Sequence, residues 1–225
     1  MGFLIYFALI ILIPLFAQMK VKSAFKKYSR VPASSGMRGA EVARRILDDN
    51  GLYNVGVEET PGKLSDHYDP RSKVVRLSTD NYHGTSVAGA AVAAHEVGHA
   101  IQDANGYAPL RFRHALVPVA SLGSNLSWIL ILAGIFFQLT NMLLLGILFM
   151  AAAVLFQVVT LPVEFNASSR AMNQIVSLGI IRNDEERETK KVLNAAAMTY
   201  VAGALVAVLE LVRLILIYTG MTSED

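Results

Sequence analysis

The sequence lacks cysteine and contains little charge. None of its 225 residues is cysteine, which excludes a secreted scaffold held by disulfides. Only 17% of the residues are charged, against about 25% in a typical soluble domain. The net charge of +2 leaves no large basic excess for binding nucleic acid. What the chain has instead is 53% hydrophobic residues and a mean hydropathy of +0.43, values that indicate a membrane protein.

The low charge content results mainly from one long block without charged residues. Residues 115–163 form 49 consecutive positions without Lys, Arg, Asp or Glu. A helix needs about 20 residues to cross the hydrocarbon core, so this block is long enough for two spans. The sequence predicts transmembrane helices over about 115–137 and 142–163, with a tight polar turn at 138–141.

Two further apolar segments complete the predicted membrane frame. The lysines come after the apolar segment 1–19, whereas a cleaved signal peptide carries its basic residues before the apolar run. We therefore expect an uncleaved anchor rather than a signal sequence. The segment 196–219 predicts a fourth span, in a helix that begins near Asp184. The expected architecture is mainly α, with a four-helix transmembrane bundle.

The distribution of basic residues predicts the orientation in the lipid bilayer. Residues 20–30 and 164–195 each contain five Lys or Arg, whereas the 138–141 turn contains none. Cytoplasmic loops are enriched in Lys and Arg. We expect residues 20–114 and 164–195 in the cytoplasm, both termini outside, and a multi-pass protein of the cell membrane.

Residues 20–114 are the only stretch long enough for a folded insertion outside the lipid. Apolar residues recur at helical spacing from Ala40 to Leu47, and Asn50-Gly51 signals the end of that helix. Weak and short strand signals follow around Val55 and over 74–77. A helix is expected over about 86–104. This pattern predicts a cytoplasmic α+β insertion of the zincin type.

The helix over 86–104 contains a metal-binding motif. It reads His95-Glu-Val-Gly-His99, with two histidines four positions apart on one helical face and Glu96 beside them. Two histidines satisfied in a helical core would not explain an ionisable glutamate between them. The spacing predicts a site for one Zn²⁺ per chain, with Glu96 as the general base that takes a proton from the attacking water.

A catalytic zinc usually has three protein ligands, and residues 100–109 contain no further histidine. Glu164 is the candidate for the third ligand, because it ends the uncharged block on the side that carries the motif. The alternative is an ordinary carboxylate at the membrane interface.

Several runs resemble a known family. They are Ser65-Asp-His-Tyr-Asp-Pro-Arg71, Val75-Arg-Leu-Ser78, Tyr82-His-Gly84, Ala93-Ala-His-Glu-Val-Gly-His-Ala-Ile-Gln102 and Leu161-Pro-Val-Glu-Phe-Asn-Ala-Ser168. Together they resemble the YugP-like family of bacterial membrane zinc metallopeptidases over nearly the whole chain. The resemblance implies an integral-membrane gluzincin, related in plan to proteases of the HtpX type. It also implies zinc ligands at His95, His99 and Glu164, and the base at Glu96.

One position departs from the wider HtpX pattern. That pattern has an aspartate four residues after the third ligand, whereas this chain has Ser168. If the aspartate orients a ligand histidine, Ser168 offers only a neutral hydrogen-bond partner. Asn166 and Asp103 are the alternatives for this role, and the sequence does not choose between them.

Residues for substrate contact are less clearly marked. A donor for the oxyanion is expected among His67, Tyr68, His83 and Arg170, each of which also fits a structural role. The strand over 74–77 is expected either to pair by its edge with an extended substrate or to be structural.

The sequence favours an endopeptidase that hydrolyses protein or peptide substrates associated with the membrane, near the cytoplasmic face. The alternative is a zinc-bound scaffold or assembly factor without turnover. A metal transporter is disfavoured, because both histidines fall in the predicted cytoplasmic insertion. Neither regulatory partners nor oligomeric state can be read from the sequence.

Overall fold

The computed structural model describes residues 2–222, which form helices and one small sheet. The helices are α1 (Gly2–Tyr28), α2 (Gly39–Asp49), α3 (Thr79–His83), α4 (Val87–Ala104), α5 (Ala108–Phe136), α6 (Thr140–Ser177) and α7 (Glu186–Thr222). The strands are β1 (Gly56–Thr60), β2 (His67–Asp69) and β3 (Val74–Ser78). These elements fall into two compact units. The membrane unit comprises residues 2–16, 108–162 and 200–222, and the site unit comprises 17–107 and 163–199.

The membrane unit contains the apolar parts of four long helices. α1, α5, α6 and α7 are each long and apolar enough to cross a membrane. Only 6% to 28% of the residues in their most apolar windows are buried, so most of this apolar surface is exposed, as is expected of helices that face lipid. The expected mainly helical architecture with four candidate spans is confirmed. A small core forms from Ile131, Leu143, Ile147, Met150, Val154 and Leu214.

All four of these helices extend beyond the apolar segments that predicted them, and α1 and α6 do so at the end that enters the site unit. α1 continues past position 19 to Tyr28, and α6 continues past 163 to Ser177. No glycine or proline interrupts residues 163–177, so the helix ends only where Gly179 adopts a positive φ of 63°. Glu164 therefore lies inside a continuous helix and not at its end.

The sheet has the strand order β1-β3-β2. β3 pairs in parallel with β1, from Gly56 opposite Val74 to Thr60 opposite Ser78, and in antiparallel fashion with β2. Because both edges of β3 are occupied by neighbouring strands, no substrate can add to it. The expectation of substrate pairing along residues 74–77 is wrong, and β3 is the structural centre of the sheet.

The core of the site unit is built from the amphipathic α2, the central strand and the alanine-rich α4. Val42, Ile46 and Leu47 of α2 are completely buried, as are Val75 and Leu77 of β3. α4 contributes a run of small buried residues from Val87 to Ala94, interrupted only at Val92. The same cluster includes Ala171 and Ile175, so residues 163–177 of α6 pack in this unit.

Gly98 allows the close approach of α4 to α6. A β-carbon built at position 98 would lie 2.6 Å from the carbonyl oxygen of Ala167 and 3.2 Å from its Cα. Both neighbours are backbone atoms of a helix, which do not move aside as a flexible side chain does. The second variable position of the His95–His99 motif is therefore filled by the only residue that fits.

We expect Gly98→Ala to destabilise the protein by about 1–3 kcal/mol, because the added methyl overpacks a helix contact. Gly203→Ala is the matched control, since the nearest neighbour of its added carbon is Gln157 Oε1 at an ordinary 3.7 Å. Alanine in an open helical position stabilises by about 0.5–1 kcal/mol relative to glycine. Thermal unfolding of both metal-free variants in detergent measures the difference. Equal unfolding temperatures would contradict the described packing at position 98.

Candidate metal centre

α4 presents two histidines on one face. Its N-cap residue Ser86 accepts a hydrogen bond from the Gly89 amide at 3.1 Å, which satisfies one of the free amides of the first turn. His95 and His99 lie one helical turn apart, and their ring centroids are separated by 4.8 Å. A single rigid element therefore fixes the spacing of the two imidazoles.

Glu164 of α6 lies opposite this histidine pair. Its Oε2 atom is 3.2 Å from Nε2 of His95 and 3.6 Å from Nε2 of His99. One ligand atom from each residue can be chosen so that all three lie within 4.8 Å of one another. The structure thus brings together the three residues that the sequence analysis named as metal ligands, all within the site unit.

The two separations between Glu164 and the histidines fit a zinc ion. Ligand atoms at about 2.1 Å from a tetrahedral zinc are separated from one another by about 3.4 Å. The two contacts of Glu164, at 3.2 and 3.6 Å, lie on either side of that value. Two imidazole nitrogens and one carboxylate oxygen form a donor set typical of catalytic zinc, which keeps its fourth position open. The residues present therefore fit this metal.

Gln102 holds the ring of His99. Its side chain is fully buried, and Oε1 lies 3.0 Å from Nδ1 of His99. The amide nitrogen of Gln102 donates to the Val163 carbonyl at 2.8 Å and to Asn166 Oδ1 at 3.0 Å. Because the amide nitrogen is used there, Oε1 is the acceptor and Nδ1 of His99 carries the proton. The other ring nitrogen, Nε2, is then the one available to a metal.

Gln102 was not among the residues predicted from the sequence, although its position carried a signal. It is an amide side chain one turn after His99 on the same helix, in a segment that is otherwise apolar or small. Asn166, one of the residues expected to orient a histidine, reaches His99 only through Gln102. Asn166 also accepts a hydrogen bond from Arg170 Nε at 2.7 Å, which fixes the orientation of its amide.

Ser168 lies beside the other histidine. Its hydroxyl oxygen is 3.2 Å from Nδ1 of His95, in the place where a neutral partner was expected. Glu164, Asn166 and Ser168 all belong to one stretch of α6, so this stretch supplies both a candidate ligand and hydrogen-bond partners. The serine leaves Nε2 of His95 facing Glu164.

Glu96 and Glu164 influence the protonation of His99. Glu96 is 9% exposed and belongs to the same helix as the two histidines. Burial disfavours a charged imidazolium at His99, but the hydrogen bond to Glu164 and the charges of Glu96 and Glu164 outweigh it and raise the pKa of His99. An imidazole binds metal only in its neutral form, so protons compete with a metal at this position.

The remaining candidates have partners of their own. The Tyr68 hydroxyl donates to Asp103 at 2.7 Å, and Lys73 contacts the same carboxylate. Burial and the nearby Asp103 raise the pKa of Tyr68, so this hydroxyl stays protonated. His67 contacts the Ser65 carbonyl, and His83 contacts Glu59.

Both of these histidines are exposed, and within residues 2–222 their hydrogen-bond partners are Ser65 and Glu59 rather than residues of the triad. Asp103, the other residue expected to orient a ligand histidine, contacts Tyr68 and Lys73. Gln102 and Ser168 contact the triad histidines directly, whereas Tyr68, His67 and His83 bond to other residues.

Comparison with known proteins agrees with this geometry. A family model described as "Putative neutral zinc metallopeptidase" matches residues 3–219. A protein of Bacillus subtilis (strain 168) named "Putative membrane protease YugP" is 54% identical over 209 residues, which cover 93% of each chain. No solved structure matches the chain. The resemblance drawn from the sequence motifs is thus confirmed, and the chain belongs to this zinc metallopeptidase family.

Proposed function

We propose that this protein is an integral-membrane zinc endopeptidase that hydrolyses peptide bonds of membrane-associated or exposed protein segments. Family membership and four candidate spans support a membrane zinc peptidase. The observation that carries the proposal is the grouping of His95, His99 and Glu164 at separations that suit zinc, with Glu96 on the same helix as the histidines.

Each residue of the site has a distinct task. Nε2 of His95, Nε2 of His99 and the Glu164 carboxylate would hold one Zn²⁺. When bound, zinc polarises the substrate carbonyl as a Lewis acid and lowers the pKa of a coordinated water to about 7. Gln102 and Ser168 fix the rings by accepting or sharing hydrogen bonds at Nδ1, so each Nε2 stays directed at the metal position.

Glu96 is the general base in this proposal. Its carboxylate takes a proton from the attacking water and then delivers that proton to the nitrogen of the leaving amine. Placement on α4 fixes the base relative to both histidines, because adjacent helical residues cannot separate without unwinding the helix. The largely buried surroundings strengthen the electrostatic interactions of the carboxylate relative to water.

We further propose that the site faces the cytoplasm. The two segments rich in Lys and Arg, residues 20–30 and 164–195, belong to the same compact unit as the triad. The short connection between α5 and α6 contains no basic residue. By the enrichment of basic residues on the cytoplasmic side, the substrate bonds would be cut near the inner surface of the cell membrane.

Substitutions of Glu96 and Glu164 should distinguish the role of the general base from that of the metal ligand. Glu96→Gln is expected to retain one zinc per chain and to lose casein hydrolysis by about 100-fold or more, because it removes the proton acceptor alone. Glu164→Ala is expected to lose zinc and hydrolysis together. Metal content by mass spectrometry and digestion of casein measure the two properties on the same preparations.

Glu186→Ala is the control for these variants, since Glu186 makes only a surface contact with Lys190 at 3.5 Å. Glu185 is unsuitable, because its carboxylate accepts hydrogen bonds from Ser34 and from the Arg182 amide. Full hydrolysis by Glu96→Gln would contradict the proposed base. A wild-type chain that holds zinc and hydrolyses nothing would instead favour the scaffold without turnover.

Gln102→Leu tests the positioning of His99. Loss of the amide leaves Nδ1 of His99 and the Val163 carbonyl without their partner, and such changes weaken metal affinity by about 10–100-fold. Gln174→Leu is the control, because it removes a glutamine that bonds Asn50 and not a histidine. Competition with a chelator measures both zinc affinities. Equal affinities would show that Gln102 does not orient the ligand.

Cysteine labelling tests the orientation, since the chain has no cysteine of its own. In intact cells a membrane-impermeant maleimide is expected to label Leu139→Cys, in the connection between α5 and α6. Lys63→Cys, in the loop before β2, should react only after the cells are permeabilised. Labelling of Lys63→Cys in intact cells would place the site on the opposite face.

A further inference from the structure

A groove in the site unit lies between the lysine-bearing faces of α1 and α7. It has a volume of about 380 Å³, and three of its lining residues are Lys20, Lys27 and Lys191. None of its lining residues is aspartate or glutamate. Three lysine side chains line one concavity, so an anion in the groove would be attracted by three positive charges. The groove thus favours an anionic ligand.

The groove also lies where two apolar helical segments become polar. Lys20 directly follows the apolar run of α1, and Lys191 directly precedes residues 192–209 of α7, which contain no charge. Both segments belong to candidate membrane spans. Lysines at such a boundary lie at the depth of lipid headgroups.

The groove changes from charged to apolar along α7, as a phospholipid changes from its headgroup to its acyl chains. Lys191, Asn194 and Met198 succeed one another on the same face of this helix and all line the groove. Lys191 offers a charge and Asn194 a hydrogen-bonding amide, whereas Met198 offers an apolar contact. On α1, Ser23 supplies a further hydroxyl between the two lysines.

We propose that this groove binds the headgroup of an anionic phospholipid. The phosphate lies among the three lysines, the hydroxyls of the headgroup reach Ser23 and Asn194, and the first part of an acyl chain follows Met198. An inorganic phosphate would use the lysines but leave the apolar end of the groove without a ligand. The proposal is independent of the metal centre and of the peptidase activity.

Lipid retention tests this proposal with two variants of equal charge. The full-length protein is reconstituted in phosphatidylcholine vesicles that contain a graded fraction of phosphatidylglycerol, then solubilised and purified, and its retained lipids are counted by mass spectrometry. The groove variant is Lys20→Gln/Lys27→Gln/Lys191→Gln. The control is Lys22→Gln/Lys26→Gln/Lys190→Gln, which changes the same two helices away from the groove lining.

The wild type and the control are expected to retain more phosphatidylglycerol than the vesicles contain. The groove variant should lose this enrichment, with about a fivefold loss of affinity for each lysine removed. Lys20→Arg/Lys27→Arg/Lys191→Arg should keep the enrichment, because the charges remain. Unfolding temperatures verify that all variants are folded.

Equal loss in the groove variant and the control would overturn the proposal, because it would show a general attraction between basic residues and the membrane. Retention of phosphatidylcholine and phosphatidylglycerol in the vesicle ratio by the wild type would overturn it as well. Displacement of the phosphatidylglycerol by an equal concentration of inorganic phosphate would identify a free-phosphate site and contradict the lipid assignment.

Discussion

The contact between the buried Glu164 carboxylate and two imidazoles is the interaction on which the site depends. Glu164 is 2% exposed, and an unpaired carboxylate in such surroundings costs several kcal/mol. A positive charge beside it, either a proton on a histidine or a metal ion, offsets this cost. The raised pKa of His99 reflects the first possibility. The donor set and its spacing suit the second, and both meet the same electrostatic requirement.

This requirement joins segments that are far apart in the chain. Glu164 lies 69 positions after His95, so α4 must pack against α6 closely enough for their side chains to meet. Gly98 permits that approach, and Gln102 ties His99 to the backbone of Val163 and to Asn166. The small residues of α4 and the short polar side chains of α6 thus act together to hold the triad in a fixed position.

Local patterns predicted much of this molecule. The 49 uncharged residues and the two terminal apolar runs predicted the helical frame, because hydropathy depends only on neighbouring residues. The histidine spacing predicted that His95 and His99 share one face of α4, because helical geometry also depends only on neighbouring residues. Glu164 was predicted as the third metal ligand because it ends the uncharged block, although the helix that bears it continues to Ser177.

Contacts between distant segments were not predictable in the same way. The strand β3 gave a short local signal, yet its central place depends on β1 and β2, which pair with it from other parts of the chain. Gln102 was overlooked because its role depends on a carbonyl of α6. Tyr68 and Asp103 were given separate roles, whereas the fold bonds them to each other.

The glycine in the middle of α4 has a consequence for how the motif is recognised in other sequences. The pattern His-Glu followed by two arbitrary residues and His describes any helix with two histidines on one face. In this architecture the second of those residues faces the Ala167 backbone at a distance that excludes every side chain. A search pattern written with glycine at that position selects for the helix contact as well as for the ligands.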